Sequence, residues 1–466
     1  MKRRSLIAVG VALTAGLAAA APLADDQGSK AAPDTSSTPA TTPLRPVLPA
    51  RPATFTKPAK HADFNGDGYG DIVVPGPGWG KDPSRGLSFV EVVYGSPAGL
   101  TPSRRQSIGP STPGIPGTAY GAQMGAAADF DRDGYADLAL DSVEDGGSSV
   151  VIFYGSATGL SGRSIALKGP GDFSFDTLAV GDFDGTAGTD VVVTGRGECW
   201  VFRDITTKPV PGTKIPVSGR TGAKISRRSV GPGGVAAARA PVVADVNGDR
   251  RSDLVLVVAT PAADGEEGED FWNAELRLGT ANGLSTKAVG FGNDQVSDQH
   301  APVAGDVDGD GRTDVIVTGP ETGTITAFLG TAEGLAPGKQ IRLPFTGEVK
   351  RLVVGDTDGD GKADLAAFNA YTATAVLPGG RAGLDPARAR RFDKSTPGLP
   401  SAPGNDLRGF GDMASLTDVN GDGKADLIVG APQENAPDRD RVFILPGSDS
   451  GVTIKGATTF SGAALR

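Results

Sequence analysis

One nine-residue acidic segment constrains this chain more than any other feature, because it occurs seven times. The copies begin at Asp63, Asp129, Asp182, Asp245, Asp306, Asp356 and Asp418, at intervals of 50 to 66 residues. A period of that length marks a repeat architecture, in which each unit is one supersecondary element that buries its apolar faces against its neighbours. The chain has 466 residues. They need not divide into the roughly three ordinary domains that length alone suggests.

A second signature follows the acidic one. A β-alternating run ends in a turn with a Gly-Leu pair just beyond it. Val90 to Tyr94 leads to Gly95-Ser96 and Gly99-Leu100, and Val150 to Tyr154 leads to Gly155-Ser156 and Gly159-Leu160. The turn returns at Gly279-Thr280 with Gly283-Leu284, and at Gly330-Thr331 with Gly334-Leu335. Later forms are Gly379-Gly380 with Gly383-Leu384 and Gly447-Ser448 with Gly451-Val452. The third unit has only a weak version, near Trp200 to Arg203. Each unit thus offers about four short strands: into the acidic loop, out of it, before the turn and after it. The 69 glycines and 35 prolines suit many strands joined by turns, and no stretch holds a helical period over three turns. The pattern predicts an all-β, seven-bladed β-propeller of four-stranded antiparallel blades, which leaves only short, protected sheet edges. A linear β-solenoid is the competing arrangement, but its coils are usually shorter than these units. The order of residues does not show how the ring closes.

The acidic copies read as calcium loops. Carboxylate or amide oxygens at positions 1, 3 and 5 with Gly at 6 let alternate side chains turn inward around a hard cation, while Gly supplies a positive φ. Position 7 varies, as suits a backbone carbonyl ligand, and Asp at 9 closes the site. The candidate ligands are Asp63, Asn65, Asp67, Tyr69 and Asp71 in the first copy, and Asp129, Asp131, Asp133, Tyr135 and Asp137 in the second. The fourth has Asp245, Asn247, Asp249, Arg251 and Asp253, with Arg250 in the glycine position. The fifth has Asp306, Asp308, Asp310, Arg312 and Asp314; the sixth has Asp356, Asp358, Asp360, Lys362 and Asp364. The seventh has Asp418, Asn420, Asp422, Lys424 and Asp426. The third keeps Asp182, Asp184 and Asp190, but Thr186 and Ala187 replace the Asp and Gly, so its site is expected to be weak or empty.

An EF-hand would need Glu at position 12 and a following helix, whereas β-branched residues follow here. The all-oxygen donor set disfavours zinc, and magnesium resists dehydration in such a cage. The competing reading is Asp/Asn/Gly turns without metal. Identical spacing in seven copies argues against it, as does the crowding of four carboxylates in the second copy. About six calcium ions are therefore expected. Their charge would bring a mature chain of net charge -13 (the full -10 without Lys2, Arg3 and Arg4) to -1.

Residues 1–20 read as a secretory signal: basic Lys2, Arg3 and Arg4, an apolar core from Leu6 to Leu17, then small residues with the cut after Ala20. Arg3-Arg4 leaves both general and twin-arginine export open. Residues 21–60 are a Pro-, Ala-, Thr- and Ser-rich flexible spacer, and residues 61–466 the propeller. The expected location is secreted, extracellular or associated with the cell wall. Cys199 is the only cysteine, so no intramolecular disulfide can form and calcium takes the place of that staple. The acidic charge speaks against nucleic acid, and no second apolar run could span a bilayer. A monomer is expected.

Other features carry less. Ile205 to Pro241 holds Lys208, Lys214, Arg220, Lys224, Arg227, Arg228 and Arg239 without an acid, which reads as a solvated loop or a contact for an anionic wall polymer. Glu266 to Asp270 is an acidic loop near Trp272; His61 and His300 are isolated and read as packing residues. Gly219 to Lys224 only approximates a phosphate loop, and no G-x-S-x-G, H-E-x-x-H, R-G-D or N-x-S/T sequence occurs.

The seventh unit, Phe410 to Pro432, holds Phe410-Gly411 before its acidic loop and Gly430-Ala431-Pro432 after it; Tyr120-Gly121 echoes the first pair. Together with the loop, these residues resemble the FG-GAP repeat of integrin α-chain propellers and their bacterial secreted relatives, often called VCBS or integrin-like proteins. The resemblance covers about residues 60–466, although most units have lost the FG or GAP letters. It implies a seven-bladed propeller with calcium in the hairpin between the first two strands of a blade. The expected function is a non-enzymatic adhesion or ligand-binding module for extracellular protein or polysaccharide. The alternatives are a propeller-scaffold hydrolase or polysaccharide lyase, and a cell-wall scaffold without a specific ligand.

Overall fold

The computed structural model describes residues 62–75, 90–109, 119–144, 147–169, 175, 177–186, 188–195, 198–206, 208, 210–216, 237–260, 271–292, 301–369, 373–393, 396–400, 410–411, 413–431 and 441–465. His61, His300, the 266–270 loop, most of the basic stretch and everything before residue 62 lie outside them.

Among the described residues, seven antiparallel sheets of three or four strands follow one another along the chain. Blade 1 comprises Ile72–Pro75, Val90–Val93 and Arg105–Ile108, three strands among the described residues. Blade 2 is Ala119–Ala128, Asp137–Glu144, Gly147–Phe153 and Ser164–Lys168. Blade 3 is Thr177–Gly181, Thr189–Gly195, Glu198–Ile205 and Thr213–Ile215. Blade 4 is Ala237–Ala244, Asp253–Thr260, Phe271–Arg277 and Val289–Phe291. Blade 5 is Val303–Gly305, Asp314–Thr318, Thr324–Phe328 and Lys339–Arg342. Blade 6 is Val349–Gly355, Asp364–Asn369, Ala373–Leu377 and Arg390–Asp393. Blade 7 is Met413–Thr417, Asp426–Ala431, Arg441–Leu445 and Thr458–Ser461. The fold is therefore the expected seven-bladed, all-β propeller.

Burial follows position in the blade. The second and third strands are covered on both faces by neighbouring blades, so they read as continuous apolar runs such as Leu254 to Val258 rather than as alternation. The fourth strands are edges. Lys214, Lys339, Arg342, Arg390 and Arg391 lie on them, and such charges keep an edge from recruiting another strand. From blade 2 to blade 7 the first strands of successive blades approach one another around the axis.

Seven apolar clusters fill the seven blade-to-blade interfaces. One of them answers the question of closure. Ile72, Val74, Val93 and Leu100 of blade 1 pack on Val419, Ile428, Val442 and Ile444 of blade 7. The Arg105 guanidinium also donates to the Ala464 carbonyl at 3.1 Å. The ring is closed by packing between its first and last blades. Cys199 is buried in the interface of blades 3 and 4, as expected of an apolar thiol, and burial pushes its pKa up to about 12.

Candidate metal centres

Strand direction alternates within a blade. The acidic loop between the first and second strands therefore shares a face with the turn between the third and fourth. The closing Asp ties the two together. In every blade its Oδ2 accepts the position-2 N–H of its own loop at 2.7–3.1 Å. Its Oδ1 accepts an N–H from the end of the third strand or the turn that follows it, at 2.8–3.0 Å. These seven carboxylates, Asp71, Asp137, Asp190, Asp253, Asp314, Asp364 and Asp426, are at most 2% exposed. Position 9 thus has a structural duty in addition to the ligand role given to it above. Blade 3 keeps it, with Asp204 donating in place of the usual glycine.

The front of the loop is a cascade. The position-1 carboxylate accepts the N–H groups of positions 5 and 6, and the position-5 carboxylate accepts that of position 7, in loops 1, 2, 4, 5, 6 and 7. This wraps the backbone around the side-chain oxygens. The turn needs a left-handed residue at position 6, and Arg250 adopts one with φ 69° as the sequence implied. Position 4 is left-handed in all seven loops, including Arg132 at φ 61°. That requirement was missed, although glycine at position 4 in six copies was its visible signal.

Carboxylate oxygens converge to within 4.8 Å in three loops: Asp129, Asp131 and Asp137; Asp306, Asp308 and Asp314; Asp356, Asp358 and Asp360. Burial, reinforced by the neighbouring acids, raises the pKa of Asp137 to about 8 and those of Asp253 and Asp314 to about 7. Asp63 and Asp129 rise to about 6 for the same reasons. The loops also draw in the protein's own cations. Arg104 pairs with Asp67 at 3.3 Å, Arg163 with Asp131 at 3.2 Å and Arg203 with Asp184 at 3.7 Å. Arg251, Arg312 and Lys362 fold back on Asp249, Asp310 and Asp360 at 3.4, 2.5 and 2.6 Å.

Loop 2 provides the fit test for a cation. In loops 1, 4, 5, 6 and 7 the position-3 oxygen accepts the position-5 N–H. In loop 2 the equivalent Oδ1 of Asp131 is buried with no hydrogen-bond partner, on a side chain only 8% exposed. It lies in the cluster with Asp129 and Asp137. A buried, unpartnered carboxylate oxygen among other carboxylates is costly unless a cation completes it. Loop 3 is built differently. Thr186 stands where others have Asp, and its Oγ1 donates to Asp204 at 2.7 Å, while Arg203 approaches Asp184.

The flanking letters explain themselves in blade 7. Phe410 is buried edge-on against Phe443 at 5.7 Å. Gly411 has φ 93°, donates to the Gly430 carbonyl at 3.1 Å and accepts from Arg351 at 3.1 Å. A Cβ there would lie 2.5 Å from the Phe368 ring. The pair thus seats blade 7 on blade 6. Pro432 lies outside the described residues.

Comparison with known proteins agrees with this geometry. The FG-GAP-like repeat profile matches residues 306–367 and the FG-GAP repeat profile matches residues 410–445. The chain carries FG-GAP repeats. Its repeats are integrin-like: human integrin alpha-7 is 27% identical over 143 residues, 28% of this chain and 11% of that protein. Mouse phosphatidylinositol-glycan-specific phospholipase D is 31% identical over 148 residues, 28% of this chain and 17% of that protein. The matches thus span less than a fifth of these relatives' length. Among solved structures, BBS1N in complex with ARL6DN aligns over 68% of this chain and 78% of its own, at TM-score 0.39 and 13% identity. No described helix of this chain is long and apolar enough to cross a membrane.

Proposed function

We propose that this FG-GAP propeller is a secreted, non-enzymatic binding module whose acidic loops hold calcium as a structural staple. Loops 1, 2, 4, 5, 6 and 7 would each take one ion through positions 1, 3, 5 and 9 and the position-7 carbonyl, and loop 3 none. The observation that carries this is the buried, unpartnered Asp131 Oδ1 set among Asp129 and Asp137. The same loop construction recurs around one face of the ring. When bound, calcium would neutralise the crowded carboxylates and stabilise the folded loops by mass action.

With the calcium face committed to stability, the ligand face is the opposite one, where blades connect. There a cleft of about 390 Å³ lies between blades 5 and 6, lined by Arg342, Phe345, Thr346, Asn369 and Arg391. Its two guanidiniums, paired at the surface with Glu321 at 3.8 Å and Asp393 at 3.1 Å, suit an extracellular protein or polysaccharide whose acidic or hydroxyl groups compete for them. The Asn369 amide is engaged by the Thr346 carbonyl and the Ala373 N–H. Metal content is tested by native mass spectrometry of the calcium-equilibrated chain, with about six ions expected. Loss of all calcium without a change in melting temperature would remove the staple. Ligand capture from the producing organism's envelope and medium is compared for the unaltered chain and the R342E/R391E variant; equal capture would place the ligand elsewhere.

A further inference from the structure

Each acidic loop is held by the next blade as well as by its own. The position-8 N–H of one loop donates to the position-1 carbonyl of the loop before it. Gly70 donates to Asp418, Ala136 to Asp63, Ser252 to Asp182, Thr313 to Asp245, Ala363 to Asp306 and Ala425 to Asp356, at 2.7–3.0 Å. At the remaining junction, between blades 2 and 3, the Thr189 hydroxyl donates to the Asp129 carbonyl at 3.3 Å. The position-2 carbonyls are engaged as well. Those of Val419, Phe64, Phe183, Val307 and Thr357 accept from the turn of the following blade at 2.9–3.2 Å.

Side chains repeat the link. The position-7 residue of one loop lies over the position-4 glycine of the loop before it: Tyr69 on Gly421, Arg251 on Gly185, Arg312 on Gly248, Lys362 on Gly309 and Lys424 on Gly359. A Cβ on those glycines would lie 2.6–3.4 Å from the covering side chain. Between blades 2 and 3 the two sizes are exchanged. Position 4 is Arg132, position 7 of the next loop is Gly188, and the arginine reaches over it to donate to the Thr186 carbonyl at 3.4 Å. A small residue meets a large one at that junction too, in the reverse order. This exchange identifies the position-4 to position-7 contact as a fitted surface rather than a by-product of the turn.

We propose that the seven loops act as one interlocked belt, so that calcium bound in one loop favours binding in the next; this rests on the calcium reading given above. The position-1 residue is the physical coupler. Its carboxylate faces the ion and its carbonyl holds the following loop, so ordering one fixes the other. Loop 3 then carries no ion of its own but transmits order, through Thr189 and Arg132 on one side and Ser252 on the other. Coupling of this kind changes a neighbour's affinity by about fivefold or more.

The test is calcium titration of the full chain, read by native mass spectrometry as the distribution of bound ions. At half-saturation the belt enriches empty and fully loaded protein well above a binomial distribution and depletes the half-loaded intermediates below it. A binomial distribution would overturn the belt while leaving the calcium sites standing, and absence of bound calcium would overturn both. Two variants sharpen the result, with folding checked by circular dichroism. Gly309→Arg is expected to weaken at least two ions, those of loops 5 and 6, and Lys362→Gly to move the distribution toward the binomial one. The double variant copies the exchanged junction of blades 2 and 3 and is expected to restore the unaltered distribution. A double variant no better than Gly309→Arg would refute the fitted contact.

Discussion

Replacing Asp314 with alanine separates structural support from metal binding at the closing position of a loop. Asp314 is fully buried; its Oδ2 accepts the Val307 N–H and its Oδ1 the Gly330 N–H, both at 2.8 Å. Alanine would strand two buried donors, at about 1–3 kcal/mol each. An opposing effect is relief of the buried charge, because burial raises the Asp314 pKa to about 7. At pH 6 the group is mostly protonated, so that relief is small and the lost hydrogen bonds win. The expected cost at pH 6 in excess chelator is about 3 kcal/mol, and Asp314→Asn, which keeps one acceptor, costs about half of that.

Asp308 is the matched control. It belongs to the same carboxylate cluster but lies at position 3, where its oxygen accepts only the Asp310 N–H at 3.1 Å. Asp308→Ala in chelator should cost less than about 1 kcal/mol, as expected for one partly exposed bond. With calcium present, both variants should lose stability, because both remove a ligand. The assay is urea denaturation followed by tryptophan fluorescence, with and without calcium. Equal stability of Asp314→Ala and Asp308→Ala in chelator would refute the structural duty assigned to position 9.

Three further outcomes follow from the same structure. Burial and neighbouring acids raise Asp137 to about 8, Asp253 and Asp314 to about 7 and Asp426 to about 6. The metal-free folded state therefore holds more protons than the unfolded chain between about pH 4 and 8, and its stability falls as pH rises through that window. Chelated protein should thus melt lower at pH 8 than at pH 5.5, whereas the increment from added calcium should grow with pH. Gly411→Ala places a Cβ 2.5 Å from the Phe368 ring at φ 93° and should cost about 2–3 kcal/mol in the same denaturation assay. Arg277→Met removes a fully buried guanidinium that binds Glu275 and the carbonyls of Ser285, Thr286 and Pro216. It should cost about 3–5 kcal/mol, and adding Glu275→Gln should recover part of that loss.

The fold was legible because each blade repeats two local signals at a constant order, the acidic loop and the Gly-Leu turn. A repeated local pattern needs no knowledge of long-range contacts. Closure was not legible, because blade 1 meets blade 7 through ordinary apolar residues such as Val74 and Ile428, which carry no mark of their partner. Within the loops, the positions that turn the backbone and the acids that crowd together could be read from spacing. The second role of the closing Asp could not, since its Oδ1 partner lies 14 to 26 residues away, at the end of the third strand or in the turn after it. Loop 3 held the clue. It has lost the Asp and Gly of positions 5 and 6 yet kept Asp190, which a metal ligand alone would not require.

Arg277 was likewise unmarked, although its environment ties two blades together. A lone arginine in an apolar strand looks like an exposed charge until its partners are placed, and here they are Glu275 two residues back and a carbonyl 61 residues away. Its Pro216 contact holds residue 216, inside the basic stretch, against blade 4. Lys214, two residues before Pro216, is already paired with Glu198 at 2.5 Å. An anion meeting this part of the stretch would therefore compete with Glu198 for Lys214, whereas Lys208 is exposed.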